Sequence, residues 1–238
     1  MKIALIGYGK MGRAIEEIAL ERGHEILLKI DSHNQDDFNG ENLDKIDVAI
    51  EFTNPEQAFN NIKKCILAHK AVVSGSTGWL AQKNEIDAIC QSVNGSFIHA
   101  NNFSIGVNLF FEINAILAGY MANHSNYHAS IQEIHHTEKK DAPSGTAIHL
   151  ANEILSKINT YKKWVLGQAQ TDSELSIESK RIDPAPGIHT VYYASEIDTI
   201  EITHTAHNRK GFALGAVLAA EFIHNKKGIF TMKDVLSL

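Results

Sequence analysis

The densest chemistry in the chain is the run EIHHTEKKDAPSGTA, from Glu133 to Ala147. Two adjacent histidines, His135 and His136, suit proton transfer near neutral pH, and Lys139 and Lys140 supply point charges for an anion. The histidines end a segment of alternating polarity, YHASIQEIHH, in which neighbouring side chains point to opposite sides. Only one of the pair can readily face a given cleft; the other orients or packs. Ser144, Gly145 and Thr146 then bring two hydroxyls and a flexible backbone to a helix expected to begin near Thr146 or Ala147. Hydroxyls, a lysine and unpaired helix N–H groups around one point make a receptor for a carboxylate. The combination predicts a small anionic substrate undergoing a proton-coupled step. A metal is the other use for such a cluster, with His204 and His207 as further ligands, but the chain holds no HExxH run and no cysteine cluster, so none is expected.

A second chemical signal opens the chain. Gly7, Gly9 and Gly12 in GYGKMG follow an apolar run and open a helical pattern, which is the context in which GxGxxG binds a dinucleotide. The first glycine permits the tight turn, the second lets the backbone approach a pyrophosphate, and the third lets helix and strand pack closely. Asp31, at the end of the second apolar run, stands where a carboxylate accepts hydrogen bonds from an adenosine ribose. Three more polar, glycine-bearing loops, FTNP, GSTGW and HANNFSIG, fall where strand carboxyl ends should lie and read as the floor of a cofactor cleft.

Both sites need elements to hold them. Short apolar runs at 2–7, 25–30, 47–52, 71–75 and 96–100 alternate with helical patterns, the signature of a parallel sheet wound with helices. After Asn101 the pattern changes to a nearly all-round apolar helix at 107–121. Period-two strands follow, YHASIQEIHH, LSIESKR, HTVYYAS and DTIEITHTA, and then an alanine-rich helix at 212–225. A mixed or antiparallel sheet with one covered face is the reading for the middle segment. The net charge of −6 argues against a general nucleic-acid binder. No run approaches the length of a membrane helix. Cys65 and Cys90 have neither CxxC spacing nor a disulfide framework, so a reduced, cytoplasmic protein is expected.

The run EIHHTEKKDAPSGTA resembles the signature of the dihydrodipicolinate reductases at every fixed position, and FTNP, GSTG, NFSIGVN and ITHTAHNRKGFALGA extend the resemblance along nearly the whole chain. It implies a Rossmann-type doubly wound sheet completed by the C-terminal helix, with residues 1–103 and 212–238 forming the dinucleotide-binding domain. Residues 104–211 would form an α+β domain for substrate binding and oligomerisation, and the assembly a homotetramer. The implied reaction passes a hydride from NADH or NADPH to a cyclic dicarboxylate, giving tetrahydrodipicolinate with loss of water. By position, His135 is the implied proton donor and Lys139 its partner in catalysis, with His136, Ser144, Gly145 and Thr146 around the substrate carboxylate. Gly7, Gly9, Lys10, Met11, Gly12, Asp31, Phe52, Gly75, Ser76, Thr77, Asn102 and Phe103 fall at the cofactor. GSTG stands where GTTG is commoner in the family, and Ser32 follows Asp31 where some members carry a base, which bears on the preference between NADH and NADPH.

Two rival readings share the glycine turn. A semialdehyde dehydrogenase working through a thiohemiacetal needs an activated cysteine, and Cys65 and Cys90 sit in helical patterns with no histidine signature beside them. A nucleotide-sensing module would keep the turn and Asp31 but has no use for HHTEKK with SGT.

Overall fold

Short, nearly continuous apolar runs build the first sheet, and apolar side chains on both faces of its central strands demand a helix layer on each side. The computed structural model describes residues 1–238. In chain order it runs β1 (Lys2–Ile6), α1 (Lys10–Glu21), β2 (Glu25–Ile30), α2 (Gly40–Asp44), β3 (Val48–Glu51), α3 (Pro55–Leu67), β4 (Ala71–Ser74), α4 (Lys83–Ser92) and β5 (Ser96–His99). There follow α5 (Ile105–Met121), β6 (His128–His135), α6 (Gly145–Lys157), β7 (Lys163–Leu166), β8 (Glu174–Arg181), β9 (Gly187–Ala194) and β10 (Thr199–Ala206), then α7 (Lys210–Ile223), β11 (Gly228–Phe230) and α8 (Met232–Leu236). Two compact units result, Met1–Ile105 with Arg209–Leu238, and Gly106–Asn208.

The first unit is a parallel sheet in the order β11-β5-β4-β3-β1-β2. One face carries Ala4, Ile6, Ala49, Val72 and Phe97 against apolar residues of α3 and α4. The other carries Ile3, Leu5, Val48, Ile50, Val73 and Ile98 against α1 and α7. Strand order reverses between β1 and β3, and outside the carboxyl ends of that junction an open parallel sheet forms its ligand crevice. The chain returns to this unit through α7, which packs closely because Gly215 lies on the backbone of Phe103: a methyl group there would overlap the Phe103 carbonyl.

The second unit is a mixed sheet, β10-β9-β6-β8-β7, with β6, β9 and β10 antiparallel in turn and β8 parallel to both β6 and β7. Ile131, Leu175, Ile177, Val191 and Tyr193 line its covered face beneath Val107, Phe110, Leu150 and Ile154. β10 is largely exposed, with Ile200 38% accessible.

The sequence pattern missed β7, β11, α2 and α8. β7 has half-buried residues at its centre and exposed ends, so it carries no period-two signal. β11 and α2 span three and five residues, too short to show a period. α6 starts at Gly145, ahead of the expected Thr146 or Ala147, because Ser144 serves as its cap. No helix is long and apolar enough to cross a membrane.

Candidate active site

Alternation along β6 puts Ile131, Glu133 and His135 on its covered face. The Glu133 carboxylate therefore lies behind the His135 ring and bonds its Nδ1. Glu133 is fully buried, and its second oxygen accepts a 3.0 Å bond from Arg181 Nη1. Burial opposes its ionisation, but the bond from His135, the charge of His135 and the Arg181 bond outweigh it and hold its pKa down at about 2. A fixed carboxylate at Nδ1 selects the ring orientation and leaves Nε2 as the nitrogen for proton transfer. Gly187 keeps the space beside it open: a methyl there would stand 3.1 Å from Nε2.

Past the strand end, the loop is tied to β8. Arg181 also donates to the carbonyls of Asp141 at 2.7 Å, Lys180 at 2.8 Å and Lys139 at 3.4 Å. Thr137 donates its N–H and hydroxyl to Asp183 at 3.0 and 2.7 Å. Lys139 Nζ sits 2.8 and 2.9 Å from the two Asp141 oxygens and is 21% exposed. His136 lies just beyond the strand end and is half-buried.

Ser144 caps α6: its hydroxyl accepts the Ala147 N–H at 3.2 Å and meets His189 Nε2 at 2.9 Å. Burial, reinforced by the charge of His135, pushes His189 down to about 3, so it stays neutral. The Ser144 hydroxyl is thus committed within the fold, while Gly145 is exposed and Thr146 half-buried at the same helix end. Glu133, His135 and His189 place potential metal-ligand atoms within 4.8 Å of one another. Both Glu133 oxygens are already bonded to His135 and Arg181, however, which makes the trio an oriented acid rather than an ion cage. His204 and His207 lie outside it.

In the first unit Gly7 adopts φ +98°, and a methyl on it would overlap the Phe52 carbonyl. A methyl on Gly12 would overlap the Gly7 carbonyl, so α1 packs directly on the turn. Gly9 is the opposite case, with open space around its Cα and no side-chain cap over the first turn of α1, where Lys10 and Met11 lie. Those features fit a dinucleotide pyrophosphate at the helix N-terminus. Asp31 is half-buried, and one of its oxygens accepts the His33 N–H at 2.7 Å.

The loops beyond β3, β4 and β5 converge on Phe52. A methyl on Gly75 would overlap the Phe52 ring, and Phe103 lies 5.7 Å from it, centroid to centroid. Asn102 Oδ1 accepts the Ser104 N–H at 2.9 Å, and Thr77 is exposed. Ser76 is buried instead: its hydroxyl donates to Glu51 at 2.7 Å and accepts the Thr53 N–H at 2.8 Å.

Residues 106–236 match the family described as dihydrodipicolinate reductase, C-terminus, and residues 1–103 its N-terminus. The chain belongs to the dihydrodipicolinate reductase family. A 4-hydroxy-tetrahydrodipicolinate reductase of Christiangramia forsetii is 52% identical over 241 residues, covering 100% of this chain and 98% of that protein. Its counterpart from Aquifex aeolicus is 42% identical over 199 residues, covering 81% and 74%. A dipicolinate-bound dihydrodipicolinate reductase from Paenisporosarcina sp. TG-14 aligns with a TM-score of 0.80 over 97% of both chains at 23% identity, a likeness of fold. Membership makes the chain a reductase on a Rossmann-type sheet. The thiohemiacetal reading fails on the thiols as well, since both cysteines are buried; burial pushes Cys65 up to about 12 and raises Cys90.

Four residues that organise these sites were not singled out by chemistry in the sequence: Glu133, His189, Glu51 and Gly215. Glu133 and His189 had a readable signal, since each lies on the strand face that its period assigns to the core, where an ionisable side chain requires a partner.

Proposed function

We propose that this chain reduces 4-hydroxy-tetrahydrodipicolinate to tetrahydrodipicolinate with loss of water, using NADH or NADPH. The observation that carries the proposal is the buried Glu133–His135 pair at the end of β6, next to the braced loop that bears Lys139. The reduced dinucleotide supplies the hydride. Gly7, Gly9 and Gly12 give its pyrophosphate close backbone access, and Asp31 is placed for the adenosine ribose. Phe52, Gly75, Thr77, Asn102 and Phe103 line the remainder of the cofactor site, with Ser76 contributing through its backbone.

His135 holds a proton on Nε2 and delivers it to the substrate. Glu133, bonded to Nδ1, fixes the ring for the transfer. Lys139, released from Asp141, binds a substrate carboxylate as a point charge. His136, Gly145, Thr146 and the Ser144-capped end of α6 complete the receptor, where backbone N–H groups favour an anion. Asp31 followed by Ser32 offers a hydroxyl acceptor and no cation to a 2′-phosphate, which favours NADH over NADPH. The largely exposed strand β10 points to sheet-to-sheet assembly as a homotetramer, and the free buried thiols to the cytoplasm.

Oxidation of NADH and NADPH is to be followed with and without substrate, and with pyridine-2,6-dicarboxylate as a planar diacid competitor. Substrate-dependent oxidation inhibited competitively by the diacid is expected. Absence of substrate-dependent oxidation with either dinucleotide defeats the proposal, and light scattering showing a 26.3 kDa monomer at micromolar concentration defeats the assembly.

A further inference from the structure

Glu51 is the last residue of β3 and only 1% exposed. Four donors converge on its carboxylate: the Thr53 N–H at 2.9 Å, the Thr53 hydroxyl, the Ser76 hydroxyl at 2.7 Å and the Ser74 hydroxyl at 2.6 Å. All four are neutral. The other buried glutamate, Glu133, has Arg181 and His135 as charged partners, whereas Glu51 has no cation bonded to it. His99, whose Nε2 lies 3.0 Å from the Ser76 carbonyl, has its pKa lowered by burial and supplies no compensating charge at neutral pH. A carboxylate only accepts, so it fixes the three hydroxyl protons inward and joins the loops after β3 and β4 into one piece.

Sheet order says what lies over that piece. A dinucleotide with its ribose at Asp31 beside β2 and its pyrophosphate at the glycine turn after β1 continues outward over β3 and β4. The nicotinamide end therefore falls on the Phe52 and Gly75 loops that Glu51 clamps from beneath. Hydride loss turns a neutral ring into a cation, and charges interact over longer range where water is excluded.

We propose that Glu51 is a positioning residue that holds the nicotinamide half of the site and, through its uncompensated negative charge, favours the oxidised dinucleotide over the reduced one. This rests on the dinucleotide site proposed above.

The test is equilibrium binding of NAD+ and NADH, or of the 2′-phosphorylated pair if that is the one bound, to folded wild type, Glu51→Gln, Glu51→Asp and Ser76→Ala. Glu51→Gln is expected to raise Kd(NAD+)/Kd(NADH) by about tenfold, the scale of one charge about 10 Å away at an effective dielectric of ~20. Glu51→Asp keeps the charge and should restore the ratio even if both forms bind more weakly. Ser76→Ala loosens the clamp and keeps the charge, so both constants should move together; it carries the test if the glutamine variant does not fold. An unchanged ratio in Glu51→Gln, or a tenfold ratio change in Ser76→Ala, overturns the inference while leaving the dinucleotide site standing. Wild type that binds neither redox form of either dinucleotide overturns both.

Discussion

Arg181→Met removes the guanidinium that serves the buried Glu133 carboxylate and the carbonyls of Asp141, Lys180 and Lys139. Glu133 would keep His135 but lose its 3.0 Å bond to the Arg181 guanidinium. A charge-assisted bond of this kind contributes about 1.5 to 3 kcal/mol. Breaking a fully buried pair costs about 3 to 5 kcal/mol, but Arg181 is one-fifth exposed and water can replace part of what it donates. A loss of about 2 to 3 kcal/mol follows, which for a chain of this size lowers Tm by roughly 5 to 10 °C. The loop bearing Lys139 loses its tether to β8 at the same time, so KM for the substrate should rise. Thermal melting and steady-state kinetics should be measured on Arg181→Met, Glu133→Gln and the double variant. The double variant leaves no unpaired carboxylate, so it should be more stable than the sum of the single losses predicts. Strict additivity, or a Tm within about 2 °C of wild type with unchanged kcat/KM, refutes the bracing role.

Replacing His135 with glutamine should lower kcat by about 10² to 10⁴ with dinucleotide affinity intact, read from steady-state rates and direct titration; retained turnover removes it as the acid. Glu133, whose pKa is depressed from 4.5 to about 2 on folding, contributes stability that is present above about pH 4.5 and lost as pH falls towards 2. Wild-type stability, followed by circular dichroism during acid unfolding, should therefore fall between about pH 4.5 and 2, and Glu133→Gln should flatten that loss; an unchanged slope contradicts the assignment. Wild type should show kcat/KM for NADH at least equal to that for NADPH, and Ser32→Arg should shift the ratio towards NADPH. A tenfold wild-type preference for NADPH would mean that Lys10 and His33 outweigh Asp31.

Periodicity and glycine spacing determined the parallel sheet and its turn, since each signal is local: apolar runs end where strands end, and Gly7 and Gly12 occupy positions where a side chain has no room. The histidine and lysine run was legible for the same reason, with its residue types adjacent in the chain. The local order of those residues could place His135 and His136 on opposite sides of a strand but could not choose between them without the family resemblance. The tertiary structure identifies the ring that a buried carboxylate orients, because β8 must lie parallel to β6 before Arg181 can reach Glu133. It likewise shows that the hydroxyls of Ser144 and Ser76 are occupied within the fold, one by His189 across β9 and the other by Glu51 at the end of β3. Sequence spacing specifies which groups are near along the chain. Which of them are buried, and therefore must find partners, depends on strands and helices distant in sequence packing over them.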